Sequence, residues 1–182
     1  MASATAAAEK NEGGYDAIAK LLHWGIVAGL IAQYAVGWLM PHIGRTTPNE
    51  GLVSWHLSIG VGILAVMLLR LIWRMVRPAA PAELSPWETK LSLLTHVVIY
   101  ALVIVNPVLG WAAANYRGWD VVLFGAIPLP PFAEKGRSWA HTAGDVHISL
   151  IYVLIGAVAL HVLGALYHHF VKHDGVMKRM LP

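Results

Sequence analysis

The stretch His147–Phe170, HISLIYVLIGAVALHVLGALYHHF, decides the fold. It contains no Asp, Glu, Lys or Arg. A membrane span needs about 20 mostly apolar residues, and this stretch supplies them. Yet it carries four histidines, at 147, 161, 168 and 169. Imidazoles in hydrocarbon need partners, so their presence raises a question of function. Working outward, the span extends over Val146–Val171, and three more stretches qualify: Ala17–Met40, Leu52–Val76 and Thr89–Ala114. The 182 residues are 57 % hydrophobic and 13 % charged. A soluble domain carries about 25 % charged residues. These features predict an all-α integral membrane protein built as one four-helix bundle.

The flanks punctuate that bundle. Residues 1–14, MASATAAAEKNEGG, have no apolar core after a basic start, so they predict a disordered cytoplasmic tail rather than a signal peptide. The domain proper then runs over 15–182. SPWE at 85–88 places Ser85 as N-cap, Pro86 at the first helical position and Glu88 as the capping-box acid of the third helix. Asn106–Pro107 falls inside that helix and predicts a kink. The longest loop, 115–145, is of a length that is often functional. Lys10, Lys20, Arg70, Arg74, Arg77, Lys90, Lys172, Lys178 and Arg179 fall on one side, and Arg45, Arg117, Lys135 and Arg137 on the other. The richer side is expected in the cytoplasm, with both termini. A net charge of +3 gives no reason to read nucleic-acid binding. The chain has no cysteine, which excludes disulfides, iron–sulfur clusters, thiolate zinc and covalent C-x-x-C-H haem.

The histidines then fall into a pattern. His147 and His161 are 14 residues apart, which separates them by about 40° around a helix and about 21 Å along it. They share a face at two depths. KLLHWG puts His23 at the inner level, and VSWHLSIG puts His56 at the outer level. His23 therefore matches His161, and His56 matches His147. Each pair can clamp one metalloporphyrin between neutral imidazoles, with no coordination position left open. Gly25, Gly29, Gly60, Gly62, Gly156 and Gly164 lie nearby, and small residues give a flat macrocycle clearance. A single intramembrane histidine is as readily explained by a hydrogen bond to a neighbouring helix. Zinc or copper would draw three or four ligands to one spot, often with carboxylate. Here the ligands fall in two pairs, and no acid lies within a span.

LLHW, WHLSIG, THVVIYALVIVNPVLG, and SW followed by His147 and ALHVLGALYHHF together resemble the bacterial diheme cytochrome b561 family, which includes the membrane superoxide oxidase. The likeness covers the chain from Tyr15 onward. It implies four helices, two b-type haems on His23, His161, His56 and His147, and a place in the bacterial inner membrane. It further implies an oxidoreductase that takes electrons from superoxide outside and gives them to ubiquinone. The rival within this reading is a cytochrome b subunit anchoring a separate dehydrogenase or hydrogenase. A haem-free membrane scaffold or metal carrier is the third class.

Other residues are candidates for supporting roles. Arg70 and Arg74 suit haem propionates on the inner side. His96 and His168 suit a propionate or a quinone carbonyl. His141 stands as a polar partner near the outer haem. The outer cations Arg117, Lys135 and Arg137 suit attraction of an anion such as superoxide. Their ordinary alternative is lipid anchoring. Tryptophans at span ends read as an aromatic belt.

Overall fold

The computed structural model describes residues 14–44 and 46–181, so the expectations for the tail before Gly14 and for Arg45 lie outside it. Four long helices carry the chain: α1 Ala17–Leu39, α2 Leu52–Val76, α3 Pro86–Tyr116 and α4 Ser138–Tyr167. All four are long and apolar enough to cross a membrane, α4 together with a π-helical turn at His168–Lys172. A two-stranded ribbon, Val122–Leu123 against Ile127–Pro128, interrupts the loop before α4.

Local chemistry sets the helix ends. Asp16 caps α1, its carboxylate accepting from the Ala19 N–H at 2.8 Å. The same carboxylate accepts from the Trp73 indole of α2 at 3.0 Å. The capping box at the start of α3 is present: Glu88 accepts from the Ser85 N–H at 3.0 Å and from its hydroxyl at 2.6 Å. Glu88 also accepts from Lys172 at 2.7 Å, which pins the end of α4 to the start of α3. The helix runs unbroken through Pro107.

The α4 boundary departs from the sequence expectation. SWAHTAGD reads as polar loop, but it is helical from Ser138, eight residues before Val146. Gly144 is inside the helix. A methyl group there would stand 3.2 Å from the Ala113 Cβ, so its smallness lets α4 lie close against α3.

Packing is uneven, and the unevenness positions the site. The core face of α2 repeats at Val53, Gly60, Ile63, Met67 and Arg70, a helical stripe turned inward. Ile26, Ile63, Met67, Leu102, Val103 and Leu154 form the apolar centre. α3 packs along α4, α1 along α2, and α2 more lightly on α3. α4 makes no comparable packing with α1 or α2. Only 6 % of the apolar window of α1, and of α4, is buried, against 28 % in α2 and α3. A seam therefore runs between α4 and the α1–α2 pair. The termini end of the bundle holds the start of α1 and the end of α4. The loop end holds the ribbon.

Candidate functional site

The imidazoles predicted to pair face each other across that seam. His23 of α1 and His161 of α4 have ring centres 6.3 Å apart. His56 of α2 and His147 of α4 also stand 6.3 Å apart, with planes at 90°. Two metal–imidazole bonds of about 2 Å, end to end between two rings, put the ring centres about 6 Å apart. Both spacings therefore suit one metal between each pair.

The loop-end pair is built in detail. His147 Nδ1 donates to the Asn106 carbonyl at 2.9 Å, which leaves Nε2 as the free nitrogen. Gly110, one turn along α3, makes room for that ring: a methyl group at 110 would stand 3.0 Å from His147 Cε1. Opposite, the Gln33 amide meets His56 Nε2 at 3.1 Å, and His56 Nδ1 is buried without a partner among the described residues. Gln33 Oε1 and the Trp111 indole nitrogen are buried and unpartnered too. Gln33, His56, Gly110, Trp111 and His147 line one pocket. Unsatisfied polar atoms are expensive in hydrocarbon. Their concentration here, with an orphaned imidazole nitrogen and a glycine cradle, fits a site built for a metal-bearing group.

The termini-end pair has a third neighbour. His96 of α3 lies 5.0 Å from His161 between ring centres, and its Nδ1 donates to the Ser92 carbonyl at 2.6 Å. That spacing is too short for a metal between the two rings, so His96 is a flanking imidazole. Among the described residues no group of three or more His, Cys, Asp or Glu could hold a bare metal ion.

The supporting candidates scatter. Arg70 is buried, its Nε donating to the Tyr100 hydroxyl at 3.0 Å and its Nη1 to the Ala19 carbonyl at 2.7 Å. Arg74 lies over the Tyr15 ring. His168, on the π-helical turn, bonds Asp174 at 2.5 Å. Burial raises the Asp174 carboxyl, but the His168 bond and the Val176 N–H outweigh it, and the group stays below its ordinary value. At the loop end Arg117 donates to the Gly44 carbonyl at 2.8 Å and covers Trp119. Lys135 lays its stem against Gly118. Arg137 is not a free cation: Glu134 holds it at 2.5 Å. His141 faces Tyr116 and Asp145 rather than the pocket. Of the glycines, Gly25, Gly156 and Gly164 border open space, while Gly29 and Gly60 pack against Ile63 and Gln33. The sequence does not mark Gln33, Asn106 and Gly110 as site residues, Asn106 being legible only as part of a kink; a lone amide in the apolar run IAQYAV is the available signal for Gln33.

Four membrane-length helices carrying facing imidazoles at two levels define a class, the multi-pass membrane proteins with paired intramembrane histidines. Residues 14–182 match the family model described as prokaryotic cytochrome b561. The chain is 33 % identical to a probable superoxide oxidase CybB of Yersinia pestis, over 70 % of this chain and 73 % of that one. It is 25 % identical to cytochrome b561 homolog 2 of Escherichia coli K12, over 92 % and 90 % of the two chains. It is 23 % identical to cytochrome b562 of Cereibacter sphaeroides, over 93 % and 96 %. The chain belongs to the prokaryotic cytochrome b561 family. Membership makes it a multi-pass membrane oxidoreductase of transmembrane electron transfer and implies b-type haem.

Proposed function

We propose that the chain binds two b haems, one on His23 and His161 and one on His56 and His147, and passes electrons from superoxide to ubiquinone. The observation that carries this reading is the seam: both imidazole pairs face each other across it at the same spacing, where α4 makes little close backbone contact with α1 or α2. When bound, the haems supply two one-electron centres at two depths of the bilayer. The chain's own residues do the rest. The Asn106 carbonyl holds His147 in the tautomer that frees Nε2. With two imidazoles holding each haem, its iron would keep no open position for dioxygen.

The termini end carries the whole formal excess of +3, because Glu50, Asp120, Glu134 and Asp145 balance the four loop-end bases. That asymmetry supports a cytoplasmic termini end in a bacterial inner membrane. Superoxide then reacts at the loop end, where Arg117 and Lys135 supply positive charge. Two superoxide ions yield two dioxygen molecules, and one quinone takes two electrons and two protons. His168, held by Asp174, is the candidate quinone contact at the other end. The 33 % identity to a probable superoxide oxidase supports the choice of donor.

The test is quinone reduction by the purified chain while superoxide is generated enzymatically. Reduction that stops on addition of superoxide dismutase is expected. Absence of reduction, together with a stoichiometric soluble dehydrogenase in the purified material, would replace the superoxide reading with that of a dehydrogenase anchor.

A further inference from the structure

A second cleft lies at the termini end, between the start of α1 and the last turns of α2, and Tyr100 of α3 also lines it. Its walls are Tyr15, Arg70, Trp73, Arg74, Arg77 and Tyr100. Three arginines thus line one cleft, and Arg77 also acts on the neighbouring Asp16 carboxylate. That carboxylate, Asp16, already accepts from the Ala19 N–H and the Trp73 indole. Arg70 is also engaged, by the Tyr100 hydroxyl and the Ala19 carbonyl. Arg74 is different: its Nη1 is buried with no hydrogen-bond partner among the described residues, while its plane lies over Tyr15.

A guanidinium donates and cannot accept, so the missing partner is an acceptor. A buried charged donor left without one is costly, and an anionic oxygen is its strongest complement. The cleft admits little more than one water-sized group, so a single phosphate oxygen fits inside it and a quinone ring does not. It opens where helix ends meet lipid headgroups, beside aromatic residues suited to that zone. Arg70 lies deeper along α2, with Arg74 one turn nearer the helix end and Arg77 at its cap.

We propose that this cleft binds the headgroup phosphate of an anionic lipid, with Arg74 as the principal donor and Arg77 at the mouth. The proposal rests on the membrane placement of the helices and not on the haem assignment. A haem carboxylate offers similar oxygens, so the test separates the two sources. Holoprotein in mild detergent is incubated with phosphatidylglycerol or phosphatidylcholine of the same chain length, and retained lipid is counted by native mass spectrometry. Wild type is expected to prefer phosphatidylglycerol. Arg74→Gln should lower its retention about tenfold, the loss of one charge-assisted contact. Arg74→Lys should fall between, because it keeps the charge and loses the planar fork. Lys90→Gln, an equal charge loss at the same end, should change nothing. If Arg74→Gln does not fold, the exposed Arg77→Gln should show a several-fold loss. Equal retention of both lipids by wild type would overturn the proposal. So would unchanged retention in Arg74→Gln or Arg77→Gln, or altered haem bands with phosphatidylglycerol retention intact.

Discussion

At the scale of single residues, the loop-end site depends on what holds each imidazole as much as on the imidazoles themselves. Gly110 and the Asn106 carbonyl are one turn apart on α3 and act on one ring, His147. A Gly110→Val side chain would push that ring out of register. It should weaken loop-end haem binding about 10- to 100-fold, the usual scale for supporting residues around a metal. Haem-to-protein ratio and separate redox midpoints check this, with the termini-end haem unchanged. His96 touches His161 but is too close to share a metal with it. His96→Leu should therefore retain both haems in a pyridine haemochrome assay. The shared face of His147 and His161 was legible from their spacing, because 14 residues return a helix nearly to the same face, and their match to His23 and His56 from depth along each span. Their supports were not legible. Whether Gln33 meets His56, or His96 meets His161, depends on the rotation of each helix against its neighbours, and one-dimensional spacing carries no information on that.

At the scale of elements, caps and ion pairs tie the helices where hydrocarbon gives way to water. The Ala19 N–H, then the Trp73 indole and the nearby Arg77, hold the Asp16 carboxyl below its ordinary value. A depressed carboxyl contributes stability that is complete above its unfolded pKa and is lost as pH falls through its folded one. Asp16→Ala should lower Tm by about 2–4 °C at neutral pH. That gap should persist at pH 5, begin to narrow near pH 4, the ordinary carboxyl value, and close only further below it, as the native carboxyl takes up its proton. A gap that widened in acid would mean the carboxyl is not a capping anion. The α2 span and the capping box of α3 could be read directly, since apolar runs and Ser-Pro-x-Glu are local signals. The first turns of α4 could not. SWAHTAGD is polar, and it is helical because Ala140 and Ala143 bury against Ala112, and Gly144 sits close to Ala113, in tertiary contacts invisible to a local pattern.

At the scale of the whole molecule, the bundle is two packed helix pairs with a seam between α4 and the α1–α2 pair, and its charge is lopsided. Balanced loop-end charges mean that attraction of an anion there is local rather than global. Arg117→Gln with Lys135→Gln should slow reaction with superoxide about two- to threefold at low salt, and the effect should fade as salt rises. Arg137→Gln alone should do little, since Glu134 already holds that charge. Stopped-flow rates across ionic strength separate the two cases. The seam itself could not be foreseen, because hydropathy marks helices without saying which of them fail to pack. The most direct measurement is haem content and redox titration of His23→Ala, His161→Ala, His56→Ala and His147→Ala in turn. Two haems per wild-type chain are expected, with one lost in every variant: the same haem for His23 and His161, the other for His56 and His147. A variant of any of the four that keeps both haems, or a loss that crosses the pairs, would contradict the account.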